Sequence, residues 1–272
     1  MEELIISAEH EEKNYWKDLW SYRELLYFLA WRDILVRYKQ TTVGVAWAVI
    51  RPIITIVIFT FLFQKVVKVS SDSVPYPLFL CAGTLLWGLF ASAFSDAGNS
   101  LITSSSLISK IYFPRLLVPA ATLAVGFVDF IISLVILGAM MVWYQIIPDA
   151  RILAAPLFIL LALTASLGAG LWMAALTVKY RDFRFIAPFI VQTGYFISPV
   201  IYPSDNFHGI RRLLYSINPM AGAIDGLRWA IFRGAAPLFW PGLVISIYTS
   251  LLLLITAIFY FRNTEKSFAD II

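Results

Sequence analysis

The stretch GVAWAVIRPIITIVIFTFLF, residues 44–63, carries a single charge, Arg51, among side chains that are otherwise apolar or weakly polar. A helix needs about 20 mainly apolar residues to cross a bilayer, so this run reads as a membrane span. Five more runs of the same kind follow at 76–95, 116–144, 152–176, 186–202 and 238–261. Lipid offers no partners to backbone polar groups, and helices satisfy them internally. The expected fold is an all-α membrane protein with six transmembrane helices. Composition agrees: 60% of the 272 residues are hydrophobic, 14% are charged, and mean hydropathy is +0.79. A soluble domain carries roughly 25% charged residues.

An even number of spans puts both ends on one side, and the distribution of Lys and Arg chooses the side. With the N-terminus inside, thirteen basic residues fall on inner segments and seven on outer ones, leaving Arg51 within the first span. Both termini are expected in the cytoplasm. The chain then divides into a cytoplasmic N-terminal segment 1–43, a transmembrane domain 44–262 and a cytoplasmic tail 263–272. The opening MEELIISAEHEEKNYW is acidic where a cleaved signal would be basic, so the first span itself is the expected anchor.

Three non-spanning segments stand out. Residues 22–39, YRELLYFLAWRDILVRYK, place Tyr27, Trp31, Ile34 and Tyr38 on one helical stripe flanked by Phe28 and Leu35. Arg32 and Lys39 lie off that stripe, and Asp33 and Arg37 have the spacing of an i,i+4 ion pair. An amphipathic helix on the inner membrane surface fits this pattern. Residues 99–115, NSLITSSSLISKIYFPR, between the second and third runs, suggest a short amphipathic helix able to enter a soluble partner's groove. Residues 204–236 are too apolar for a plain loop, yet Asn218-Pro219 divides them into two pieces too short to span. Two short helices dipping into the outer leaflet, or lying on it, fit best.

The motifs that are missing exclude much. There is no GxxxxGK[ST] loop to cradle a nucleotide, no HExxH, no paired CxxC and no GxSxG. Cys81 is the single cysteine, and His10 and His208 are too few for a histidine-based metal site. The net charge of +4 is spread along the chain, so nucleic acid is not an expected partner. Acidic residues are scarce in the spans, which argues against a proton relay; uphill transport would draw its energy from another subunit. Arg51 and Asp129 are intramembrane charges and candidates for function, or else satisfy one another or a backbone carbonyl. Asp96, nearer a span end, is expected to reach water. Ala162, Ser166 and Gly170 form a small-residue face suited to helix packing within the chain. Phe59, Phe63, Phe189, Tyr195 and Phe196 lie away from the span ends, where aromatic belts collect, and offer flat apolar platforms of the kind sugar rings stack on.

At WRDILVRYKQTTVGVAWAVIRP (31–52), SLISKIYFPR (106–115), KYRDFRFIAPF (179–189), ISPVIYP (197–203), INPMAGAIDGLRWAI (217–231) and FADII (268–272) the chain resembles the permease subunits of ABC exporters for O-antigen and related polysaccharides. Capsule and teichoic-acid exporter permeases share much of the pattern. The resemblance implies a homodimer of six-span subunits in the bacterial cytoplasmic (inner) membrane, each bound to a separate ABC ATPase that holds the ATP and Mg. No cofactor is implied in this chain. The implied substrate is a polyprenyl-linked polysaccharide. ATPase contacts would come from Trp31, Arg32, Asp33, Arg37 and Tyr38, and from Ser104, Leu107, Ile108, Lys110 and Tyr112. The channel would be lined from the first and fifth spans, which hold the five aromatics named above. An outer gate would comprise Arg211, Arg212, Asn218, Pro219, Arg228 and Trp229. Competing readings are a drug or small-lipid exporter and, from another class, a membrane-embedded glycosyl- or acyltransferase. Against the latter, the one obvious acidic/basic cluster, Arg181-Asp182-Arg184, reads better as an inner-loop anchor.

Overall fold

The computed structural model describes residues 15–39, 44–66, 74–180, 182–235, 238–265 and 268, and every regular element among them is helical. Two helices, α1 (Tyr15–Ser21) and α2 (Arg23–Lys39), precede the first span. That span, α3 (Gly44–Phe59), tolerates Pro52 and winds on as a π-helix over Thr60–Val66. After it come α4 (Tyr76–Thr103), the single turn α5 (Ser105–Ile108) and α6 (Leu117–Trp143). They are followed by α7 (Ala155–Lys179), α8 (Phe183–Ile197), α9 (Ile210–Tyr215), α10 (Pro219–Ile231) and α11 (Trp240–Glu265). Lys68, Arg181 and Ala236 lie outside the described residues, as does FADII apart from Phe268.

Among the described residues five helices are long and apolar enough to cross a membrane: those of the first, second, third, fourth and sixth runs. The run at 186–202 differs. Its helix, α8, has 15 residues, about 22 Å at 1.5 Å per residue, against a hydrocarbon core of about 30 Å. Ser198 adopts an extended conformation before Pro199, whose ring disfavours helix in the residue preceding it. The remaining apolar residues, Val200 and Ile201, are buried as a non-helical turn. Its carbonyls are not left bare: Tyr76 donates to Ile201 at 2.9 Å, and Arg228 to Pro199 and Val200. The second run errs the other way. With no breaker after 95, α4 continues to Thr103.

The helices pack around α4. Its buried face meets α6 and α7, and α7 in turn packs on α11. Small residues let the axes approach. Ala162, Ser166 and Gly170 are all buried, and a Cβ on Gly170 would meet the Cβ of Ala97 on α4. Gly168, on the same helix, abuts the backbone of α11 at Leu254. The expected intrachain packing face is present. By contrast α3 stands almost apart: 6% of the first span's residues are buried, against 72% of the second's.

The segment after α8 divides at Asn218-Pro219 as its sequence predicts. The Asn218 side chain caps α10 by accepting from the Met220 amide at 3.0 Å, and Pro219 occupies the first helical position. Helix α10 does not lie on a surface. Most of its residues are buried among α4, α7 and α11.

Candidate functional site

A half-open cavity of about 990 Å³ lies among α2, α3, α4, α6 and α8. Its polar lining gathers at one end: Arg37 and Tyr38 at the end of α2, Arg51 on the early turns of α3, Ser92, Ser95 and Asp96 toward the end of α4, and Asp129 with Ser133 on α6. Deeper along α4 the wall turns apolar and aromatic, with Trp87, Leu85 and Cys81 facing Phe130 of α6 and Tyr195 of α8.

The charges at the polar end are organised by Arg37. Its guanidinium bridges two carboxylates from different helices, Asp96 at 3.0 Å and Asp129 at 2.7 Å. Ser92 donates to Asp96 at 2.9 Å, and the Tyr38 hydroxyl donates to Asp129. Asp129 therefore does not pair with Arg51, and Asp96 is held in an ion pair facing the cavity rather than released to bulk water. The expected Asp33–Arg37 pair is also replaced. Asp33 pairs with its neighbour Arg32 at 2.8 Å, because α2 turns Arg37 into the spans, where two carboxylates outcompete one. Arg51 has no counter-ion among the described residues.

Of the five aromatics named from the sequence only Tyr195 lines the cavity; a chain of ring contacts runs on from it. Phe59 stacks on Phe63 with ring centroids 5.7 Å apart and meets Tyr195 at 5.6 Å; Tyr195 in turn meets Trp87 and Phe196. The Tyr195 hydroxyl is buried without a hydrogen-bond partner. Phe189 and Phe196 are exposed on the outside of α8, beside Phe185 and Ile190. Four of the five aromatics named from the sequence are thus linked in one chain of contacts through Phe59 and Tyr195, and Phe189 stands apart from them.

The two segments expected to meet an ATPase sit side by side. On α2, Leu29 is buried, while Tyr27, Phe28, Trp31 and Leu35 form an exposed apolar ridge that Trp20 extends along α1. Of the stripe drawn from periodicity, Ile34 and Tyr38 turn inward instead. The 104–112 segment is helical only over Ser105–Ile108. Ser104 and Ile108 are buried, Leu107 is half-buried, and Lys110 and Tyr112 project outward. Ile108, Phe113, Leu29 and Phe268 share one hydrophobic cluster, so this turn is moored to α2 and to the segment after α11.

A polar clasp reinforces the mooring. Glu265, at the end of α11, accepts from the Arg115 amide at 2.6 Å and from the Tyr15 hydroxyl at 3.0 Å, while the Arg115 side chain donates to the Glu265 carbonyl. Burial, then the neighbouring Glu265 charge, hold the Tyr15 phenol well above its usual range, keeping it a donor. No local sequence signal marks this cluster, since its members lie 150 and 250 positions apart. Ser92 and Asp96 carried a weak signal, an i,i+4 polar pair within an apolar helix.

The residues named for the outer gate separate into two kinds. Arg211 is exposed, and Arg212 pairs with Asp205 and lies 4.4 Å over the Phe239 ring. Arg228 is 1% exposed. It donates to the carbonyls of Phe79 at 2.9 Å, Pro199 at 2.5 Å and Val200 at 2.8 Å, and lies 3.4 Å over the Phe79 ring. Asn218 also ties α10 to the end of α8, donating to Ser198 at 2.8 Å, and Trp229 packs edgewise on Phe158 and Trp240.

Comparison with known proteins sets this architecture in a family. Residues 24–232 match the family model described as ABC-2 type transporter. The chain is 24% identical over 256 residues to the O-antigen export system permease protein RfbA of Myxococcus xanthus, covering 93% of this chain and 97% of that protein. It is 24% identical over 250 residues to the RfbA protein of Klebsiella pneumoniae, covering 92% and 95%. With the polysialic acid transport protein KpsM of Escherichia coli the identity is 22% over 211 residues, covering 75% and 79%. The matched region includes the cavity, nearly all of α2 and the buried arginine of α10, and this chain belongs to the ABC-2 type transporter family of membrane proteins.

Proposed function

We propose that this chain is the permease subunit of an ATP-driven exporter that moves a lipid-linked polysaccharide across the cytoplasmic membrane. One observation carries the reading: a firmly packed body around α4 is joined, across a 990 Å³ cavity, to a first span that touches α4, α6 and α8 on one side and leaves most of its surface uncovered. Such a surface is completed by a second copy, and α3 with α8 is the face that copy would meet. The named relatives, export proteins for O-antigen and polysialic acid, favour a polysaccharide cargo over the membrane-enzyme alternative.

In this reading α8 and the buried turn after it together make the sixth crossing, both termini face the cytoplasm, and α9–α10 re-enter the outer leaflet. A separate ATPase grips the 104–112 turn and the exposed ridge of α2. Closure of the ATPase pair pushes that turn, α3 and α8 part at the dimer axis, and the glycan passes outward over Phe59, Phe63 and Phe196. The decisive experiment purifies the protein from native membranes in mild detergent, after crosslinking, and identifies its companions. An ATPase at equal stoichiometry is expected. A solitary chain would overturn the reading, and unaltered export after changing Phe59, Phe63 and Phe196 to Ala would remove the aromatic wall from it.

A further inference from the structure

We infer that the polar end of the cavity is a switch in which the Asp129 carboxylate passes from Arg37 on α2 to Arg51 on α3, releasing the end of α2 from α6; its use in transport rests on the export reading above. Two cations and two carboxylates line this end, so their formal charges cancel. Their contacts are unequal. Arg37 holds both carboxylates, Asp96 at 3.0 Å and Asp129 at 2.7 Å, while Arg51 is exposed and pairs with neither. Arg51 balances the excess negative charge of the cluster from across the cavity, without contact. With one carboxylate on each guanidinium the same four charges are all paired, each in the two-pronged geometry that guanidinium favours. The four charges thus have two ways of pairing, and the structure shows one.

Exchange between the two is cheap in charge and in packing. The side chains of Arg37, Asp96 and Asp129 are 36%, 39% and 25% exposed. Breaking a fully buried ion pair strands a desolvated charge, whereas pairs this open contribute little and change partners readily. What keeps Arg51 away is the position of α3, which little packing fixes: 6% of the first span's residues are buried, yet α3 already touches α6, the helix that carries Asp129. The neighbours decide which carboxylate moves. Ser92 lies between Arg37 and Asp96, accepting from the first at 3.4 Å and donating to the second at 2.9 Å, so that corner stays closed. Asp129 gathers every polar link from α2 to α6 found among the described residues, the second arm of Arg37 and the Tyr38 hydroxyl. Moving this one carboxylate frees α2 from α6 and leaves it fastened to α4. Since α2 carries the ridge assigned to the ATPase and α3 borders the proposed path, the handover joins a push on one helix to a movement of the other.

The test uses the permease with its ATPase in phosphatidylcholine nanodiscs. Nitroxides on Val36→Cys and Ile131→Cys, both exposed positions, read the α2–α6 distance by EPR in a Cys81→Ala background, with labelled copies diluted among unlabelled ones. The labelled parent is expected to show one distance without nucleotide and a second, longer one with the ATP analogue AMP-PNP. Arg51→Gln should cut the longer population at least fivefold, and Arg51→Lys no more than about twofold. Asp129→Asn should show the longer distance without nucleotide. Adding Arg51→Gln to it should change nothing, because the acceptor matters only while there is a carboxylate to accept. A response in Arg51→Gln equal to the parent's would overturn the handover, as would additive effects of the two substitutions. If the parent shows no longer distance while the ATPase copurifies and glycan reaches the surface, the handover falls and the export reading stands. If no ATPase copurifies, the export reading falls, and the nucleotide-free distances of Asp129→Asn with and without Arg51→Gln still decide the handover.

Discussion

The guanidinium of Arg228 faces the carbonyls of Pro199 and Val200, which the end of α8 leaves outside any helix, and on its other side the carbonyl of Phe79. One side chain thus fastens α10, α4 and the turn after α8. An unsatisfied buried polar group costs about 1–3 kcal/mol, so Arg228→Ala is expected to lower the melting temperature by several degrees. Arg228→Lys should recover only part of the loss, since an ammonium cannot reach both sides as the planar fork does. Cys81, the chain's single thiol, is buried, and its labelling on heating in detergent reports the transition. Equal melting of Arg228→Ala and wild type would show that these carbonyls find other donors. From sequence this arginine was named only with Arg211 and Arg212, through the resemblance, for an outer gate. Nothing local told that the face of α10 carrying it would be buried.

Among the elements, close approach of α7 and α11 depends on Gly168, where an added Cβ would come within 2.8 Å of the Leu254 amide nitrogen. That nitrogen belongs to a helix backbone and cannot yield, so Gly168→Val is expected to cut the yield of folded protein severalfold. Gly138→Ala, with nothing within 4 Å, should leave it unchanged; size-exclusion profiles of the two variants settle the comparison. Continuous apolar runs made α4, α6, α7 and α11 readable, because lipid demands length and hydrophobicity together. Helix α8 misled, because hydropathy does not register that Ser198-Pro199 ends the helix while Val200 and Ile201 remain buried. The polar end of the cavity was half legible. Arg51 and Asp129 stood out as charges in apolar runs, but their pairing did not, since periodicity within α2 can suggest Asp33 for Arg37 and is blind to carboxylates on other helices. Asn218-Pro219 was legible for the opposite reason: cap and first-turn proline are local chemistry.

For the molecule as a whole, the exposed faces of α3 and α8 are where a second subunit is expected. Ile58 on α3 and Phe189 on α8 are 55% and 66% exposed. With Cys81 buried, Ile58→Cys and Phe189→Cys should each yield a crosslinked dimer with a short bis-maleimide in membranes. Leu153→Cys, 81% exposed just before α7, should not. A crosslink through position 153 alone would move the interface to the other side of the body.

The clasp at Glu265 bears on how the molecule is made. Tyr15 and Arg115 leave the ribosome 250 and 150 residues ahead of the carboxylate that joins them. At about 5–20 residues per second, Tyr15 waits roughly 10–50 s for its acceptor. Throughout that interval the Ser105–Ile108 turn lacks Phe268, which belongs to the same hydrophobic cluster and has not been made. Biogenesis therefore finishes this face, the proposed dock, last, after every span has been synthesised. If the proposed contact holds, a nascent chain cannot offer a properly seated turn to an ATPase before its own membrane domain is complete.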